Sequence, residues 1–556
     1  MNHTIFLGGT IITCGTEANT CEALVIENGK ILATGSKQDI LNDYGNGATI
    51  RDLQGAVLIP SFYDGHSHIE TVATNLDYVS LESPPVGSIS SIDDCLRTIR
   101  QFIQTAELNG STPGLCCAVG FTESGMKEQR ELTRHDLDLV STEWAILVLE
   151  RSIHMCYVNS KALELLGITA QTPDPQGGVI EREPESLEPN GILREEAMRN
   201  AMGEFKKINP AFGRVSPQNI SKATALYASV GVTTANEGAF MTAIDPYLDA
   251  ERNGMLHTRI NLHPFYPARN IPVQDYLDWA ESLQKKSSGW IRVAAIKHMY
   301  DGTLQNQTAY LSQPYYCAKA DCEYPCGLPA IPKERLLSDI REIHRRGNQI
   351  LVHCNGDRAI DDVLDAFAQA LAEFPTSDPR HCIIHAQTIR EDQIDRAKDL
   401  GVFLSLFPPH IYYFGDRHKD TFLGAERAER LSPAASLEKR GISFSIHCDT
   451  PVFPQNPLQT IWTAVNRLTY EGQILGRDQC VSPEEALKAY TIYAAYQHHE
   501  DQEHGSLEAG KFADMVILDM NPLTCDPMRI KDIQVMETIV EGKTTFRKSD
   551  GQFQQR

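Results

Sequence analysis

In the second half of the chain, short apolar runs of strand character alternate with helical stretches, and several of the runs end on side chains able to bind metal ions. WIRVAAIK, NQILVH, HCIIHA, GVFLSLF and GISFSIH are separated by segments such as PKERLLSDIREIHRRG, DRAIDDVLDAFAQALAEF and IREDQIDRAKDL. Runs that are apolar throughout are buried on both faces, as in a parallel sheet covered by its crossover helices. Lys297, His353 and His385 fall at the ends of three runs, and Asp449 follows a fourth. Near the start of the chain, LIPSFYDGHSH sets His66 and His68 two apart after another apolar run. In extended chain, residues two apart point to the same side, so both imidazoles can reach one ion.

The spacings sharpen this. A (β/α)8 barrel of about 250 residues allots roughly 31 residues to each strand–helix unit. His385 lies 32 residues after His353, one unit; Asp449 lies 64 after His385, two units with GVFLSLF as the strand between. From Lys297 to His353 is 56, one unit plus the insertion supplied by YYCAKADCEYPCG. The candidates therefore map to strands 1, 4, 5, 6 and 8 of a (β/α)8 TIM-like metallo-barrel. They sit at the C-terminal strand ends, where such barrels build their active sites.

The rest of the chain divides around that barrel. TIFLGGTIITCG, EALVIENGKILATG and GAVLIP near the start read as short strands with Gly turns, and ADMVILDMNP and METIVEGKTTFR near the end return to the same character. This predicts a small β-sandwich built from both ends, residues 1–57 and 501–556, around a barrel spanning 58–500 with an insertion within about 69–230. Hydrophobic residues make up 42% and charged residues 22%, which fits a chain with a sizeable core and excludes a disordered one. The formal charge of −22 argues against a broad nucleic-acid or anionic-membrane surface. No apolar run reaches the roughly 18–20 residues of a membrane span, and the N-terminus lacks a signal-peptide pattern, so a cytoplasmic protein is expected. The 14 Cys are scattered; Cys317, Cys322 and Cys326 cluster, but not with paired C-x-x-C zinc spacing, and read as free thiols in a surface loop.

The motifs PSFYDGHSH, IKHMYDGTLQNQTAYL, HCNGDRAID, IIHAQ, CDTPVFPQNPL and GSLEAGKFADMVILD resemble those of the amidohydrolase superfamily. Together with LTRHDLDLVS, RSIHMCYVNSKALELLGI and GGVIEREPE, they match the family 3 group that includes N-substituted formamide deformylases, over essentially the full length. The resemblance implies that His66 and His68 hold one metal with Asp449 beside it, and that His353 and His385 hold a second. Lys297, carbamylated, would bridge two divalent ions, zinc first, with manganese, iron and nickel suited to the same donors. Left unmodified, Lys297 leaves a mononuclear site. A water bridging the ions becomes the nucleophile, and Asp449 serves as the proton shuttle.

The implied reaction is hydrolysis of a non-peptide C–N bond in an N-substituted formamide or other small N-acyl molecule, by an enzyme that the superfamily's habit makes a homodimer. The alternatives are an ester, lactone or cyclic imide at the same centre, or a non-catalytic barrel used for binding. His154 and Phe121 are the candidate substrate contacts. His381, His410, His447, His498 and His499 read as structural or solvent-facing, and Asp301-Gly302 as loop geometry. Ile384 before His385, and His447-Cys448 before Asp449, depart from the family pattern without removing a ligand.

Overall fold

A computed structural model describes residues 3–16, 19–151, 155–175, 178–209, 212–241, 243–266, 271–318, 322 and 324–548. The chain divides into two compact units, one of residues 1–70 with 220–556 and the other of residues 71–219.

The first unit contains the parallel strands. One sheet orders Phe62–Tyr63, Val232–Phe240, Arg259–Pro264 and Ile291–Val293 side by side. A second orders Ile296–Met299, Ile350–Cys354, Cys382–His385, Phe403–Leu406 and Phe444–Ile446. The run WIRVAAIK is thus two strands. Its first half pairs with Arg259–Pro264, its second with Ile350–Cys354, and a parallel bridge from Phe265 to Lys297 spans the change of partner. Counted as one broken strand, it makes eight parallel strands in chain order. The ladders form two arcs, with none recorded between Phe444–Ile446 and Phe62–Tyr63 among the described residues.

The crossover helices show why the pattern folds this way. Asp357–Glu373 buries Ile360, Val363, Leu364 and Phe367, the i, i+3, i+4, i+7 stripe of an amphipathic helix. Cys382–His385 and Phe403–Leu406 are buried at every position, as strands covered on both faces must be.

Both ends of the chain enter one eight-stranded sheet of the same unit. Val57–Pro60 pairs antiparallel with Met515–Leu518, through Leu58 opposite Ile517, and Val535–Val540 and Lys543–Arg547 extend that side. Thr20–Glu27 and Lys30–Gly35 form a hairpin turned by Asn28 and Gly29, both at positive φ, the conformation that an Asn-Gly turn accepts at little cost. One face packs Phe6, Leu24, Leu58, Met515 and Ile539; the other packs Ile5, Leu7, Ala23 and Val25 with Ile40. The described residues form this one sheet at the chain ends, where the strand texture predicts a two-sheet sandwich.

The second unit has its own six-stranded sheet, ordered Gly178–Arg182, Pro189–Glu195, Met155–Val158, Ala145–Glu150, Leu115–Phe121, Val79–Ser80. Helix Ile92–Leu108 packs Ile92, Cys95, Leu96, Ile99 and Ile103 into its core and is capped by Ser91, whose hydroxyl accepts from the Asp94 amide. Among the described residues, no helix of the chain is long and apolar enough to cross a membrane.

Candidate metal centre

The parallel strands deliver ionisable side chains at one end. His66 and His68 follow Phe62–Tyr63, Lys297 lies in Ile296–Met299, His353 in Ile350–Cys354, His385 closes Cys382–His385, and Asp449 lies just past Phe444–Ile446. His385 and Asp449 adopt φ of 78° and 55°, a left-handed backbone that costs a non-glycine residue energy and that clusters at functional positions. Gly238, in the strand beside His66, is there for space: a Cβ would stand 2.1 Å from His66 Cε1.

The side chains converge. His66 Nε2 and His68 Nε2 lie 3.4 and 3.2 Å from Asp449 Oδ1. Lys297 Nζ is 3.2 Å from His66 Nε2. Asp449 Oδ2 is 4.0 Å from His385 Nε2, which is 3.0 Å from His353 Nδ1. His353 Nε2 lies 3.1 Å from the carbonyl oxygen of Gly302 and 3.0 Å from Asn355 Nδ2, which itself donates to that carbonyl.

Charge is distributed unevenly. Burial pulls the His68 imidazole down, but the Asp449 and Glu237 carboxylates outweigh it and carry its pKa up to about 9. Burial raises Asp449, yet the hydrogen bond and charge of His68 bring it down to about 2. His66 is held well below the ordinary value by burial, with Lys297 adding to the effect. His353 falls to about 4 for the same two reasons. Burial, then the His353 ring, lowers His385 far below its usual range. Lys297 drops to about 8 because it is wholly enclosed.

This donor set suits a cation. His66, His68 and Asp449 offer ligand atoms all within 4.8 Å of one another. His66 Nδ1 is buried without a hydrogen bond, and such an orphan is costly unless something binds it. Imidazole nitrogens and a carboxylate are the donors of zinc and related ions.

Of the other candidates, some stand as the sequence indicates and some elsewhere. Phe121, expected to face substrate, is packed into the core of the second unit, edge-on to Tyr157 at 5.1 Å. His154 lies outside the described residues. His447 is fully buried behind His385, with Nε2 3.0 Å from His385 Nδ1, so it is not solvent-facing. His381 pairs with His344 at 2.9 Å and His410 with His418 at 2.9 Å, both buried; His498 stacks on His263, and His499 is exposed. Asp301 does organise its loop, accepting from the amides of Tyr310, Asn355 and Gly356. Cys317, Cys322 and Cys326 are free thiols, and Cys322 is exposed. Glu237 is the residue that sequence reasoning misses: it lies 3.7 Å from His68 and accepts from the Glu70 and Ala239 amides. Its signal would be a carboxylate on the second parallel strand beside the H-x-H pair.

Comparison with known structures defines the class first. An uncharacterized metal-dependent hydrolase from Pyrococcus furiosus superposes with a TM-score of 0.72 at 25% identity, over 94% of this chain and all of that one. The fold is the TIM-barrel-like architecture of metal-dependent hydrolases, whose chemistry requires a divalent metal. The model of the Amidohydrolase family matches residues 49–546, and the chain belongs to that family. Among its relatives are an N-substituted formamide deformylase of Arthrobacter pascens, 27% identical over 99% of both chains. Another is the putative amidohydrolase YtcJ of Bacillus subtilis (strain 168), 28% identical over 98% of this chain and 99% of its own. The protein is an amidohydrolase, a hydrolase of carbon–nitrogen bonds other than peptide bonds.

Proposed function

We propose that this enzyme hydrolyses small N-acyl amines, N-substituted formamides foremost, at a two-metal centre held by His66, His68, Lys297, His353, His385 and Asp449. The observation that carries the reading is the unbroken set of approaches of 4.0 Å or less running from His68 through Asp449 to His66 and Lys297, and through His385 to His353. The resemblance to a formamide deformylase over nearly the whole chain supports the substrate class. The eight parallel strands close as a (β/α)8 barrel around the centre, and the terminal sheet folds on itself as a sandwich.

Two divalent ions, zinc in the first instance, supply Lewis acidity toward the carbonyl oxygen and toward water. The protein's own groups do the rest. Lys297, with a pKa near 8, is partly the neutral amine at mildly alkaline pH. That amine adds carbon dioxide, forming an N–C bond and losing a proton, and so becomes an anionic two-oxygen ligand. Asp449, held ionised by His68, accepts a proton on a carboxylate oxygen from the attacking water and returns it to the leaving nitrogen. The C–N bond breaks, and formate and a free amine leave. Phe407, 5.2 Å from the His385 ring and 5.5 Å from Phe453, gives the centre an apolar flank suited to an uncharged acyl group.

Metal analysis of the chain, with intact-mass measurement of the Lys297 peptide under non-acidic conditions, is the test. About two metals and a carbamate-sized mass increase are expected, with turnover of N-formyl amines exceeding that of matched esters. One metal with unmodified lysine, or ester turnover alone, overturns the reading.

A further inference from the structure

Behind His385 runs a chain of buried polar groups that the proposed reaction does not use. His385 Nδ1 lies 3.0 Å from His447 Nε2, and His447 Nδ1 lies 2.8 Å from Ser405 Oγ. Ser405 Oγ is 2.8 Å from Ser445 Oγ, and Ser445 Oγ meets Gln497 Oε1. Gln497 Nε2 donates to the carbonyl of Gly65 at 3.0 Å. Ser405, Ser445, His447 and Gln497 are fully enclosed, so water cannot substitute for any link. Gly65 permits the close approach at the far end, since a Cβ there would press on Ser445 Oγ at 3.0 Å.

The direction of this chain follows from its anchor. The Gly65 carbonyl can only accept, so the nitrogen of the Gln497 amide must face it and Oε1 must face Ser445. Oε1 also only accepts, so the single proton of the Ser445 hydroxyl goes to it. Ser445 Oγ is then left to accept from Ser405, and Ser405 to accept from His447 Nδ1–H. His447 Nε2 becomes an acceptor, filled by His385 Nδ1–H. The reverse polarity would set two acceptors, Ser445 Oγ and Gln497 Oε1, against each other in a buried site.

We propose that Gln497, Ser445, Ser405 and His447 form a one-way hydrogen-bonded relay that fixes His385 in its Nδ1–H tautomer and keeps its Nε2 bare. Resting on the metal-centre reading above, this makes His447 and Ser405 positioning residues. Hydrogen-bond partners of this kind set which imidazole nitrogen is free and tune metal affinity about 10–100-fold.

The test uses the full-length metal-free chain, labelled with ¹⁵N-histidine, and zinc as the probe ion. Long-range ¹H–¹⁵N correlation, with His385 assigned by its loss in His385→Asn, is expected to show Nδ1–H and a bare Nε2. Ser405→Ala cuts the relay, and Gln497→Met removes its anchor at a site that does not touch His385. Each is expected to give a mixed or reversed tautomer and to weaken zinc binding, measured by chelator competition, about tenfold. An Nε2–H tautomer in the wild-type chain overturns the relay, as does wild-type zinc affinity in both variants with the tautomer unchanged. Because the tautomer is read without metal, its failure is separate from that of the centre itself, which is revealed by a wild-type chain that binds no zinc.

Discussion

The two sides of the candidate centre hold their imidazoles by opposite means. On one side, His68 lies between the carboxylates of Asp449 and Glu237, which draw a proton onto it and raise its pKa to about 9. On the other, His353 and His385 hydrogen-bond to a backbone carbonyl and a neutral ring, and burial keeps both uncharged at any ordinary pH. The carboxylate side is built to host a positive charge, which a proton or a metal ion can supply. The neutral side offers lone pairs with nothing to neutralise. Competition between protons and metal should therefore reside at His68.

The largest expected effect lies where the two sides meet. Asp449→Asn should lower kcat by about 10²–10⁴ while the far-ultraviolet circular dichroism stays that of the wild type. An unchanged kcat would remove Asp449 from proton transfer. Next in size is Gly238→Ala, whose new Cβ must displace the His66 ring. About one metal per chain should be lost from the carboxylate side, and full metal content by mass spectrometry would show that the ring has room to move.

A smaller effect follows from pH. His68 must give up its proton before its nitrogen can bind an ion, so apparent zinc affinity should climb up to about tenfold per pH unit between 6.5 and 9. A flat profile in chelator competition would make the two sides alike. The subtlest difference is in the stability of the metal-free chain. The raised pKa of His68 contributes stability that is complete below 6.5 and lost as pH rises through about 9. The lowered pKa of His353 contributes stability present above 6.5 and lost as pH falls toward 4. Urea unfolding of His68→Asn and His353→Asn should give gaps from wild type that trend in opposite directions with pH; parallel trends would erase the contrast.

The strand-end placement of these side chains was legible because it repeats. Apolar runs at unit spacing ending on Lys297, His353, His385 and Asp449 can be read without knowing which strands are neighbours. What stayed hidden depends on neighbours. Glu237 reaches His68 through an isolated bridge between segments 169 residues apart, and no local period announces that. His447 looks like an idle histidine until the pairing of Phe403–Leu406 with Phe444–Ile446 sets it against Ser405 and His385. Phe121 failed for a related reason: an aromatic after a glycine says nothing about which side of its strand is core, and here the core took it. At the chain ends, alternating strands revealed β structure but not how many sheets it makes, since curvature is not written in period two.

That terminal sheet also sets a schedule for biosynthesis. Val57–Pro60, buried at all four positions, finds its antiparallel partner only in Met515–Leu518. At about 5–20 residues per second, the ribosome needs roughly 20–90 s to make the intervening chain. For that interval an apolar strand waits with one edge unpaired, the condition under which nascent chains stick to one another. Folding of this enzyme in a cell therefore depends on what shelters that edge until Met515–Leu518 is made.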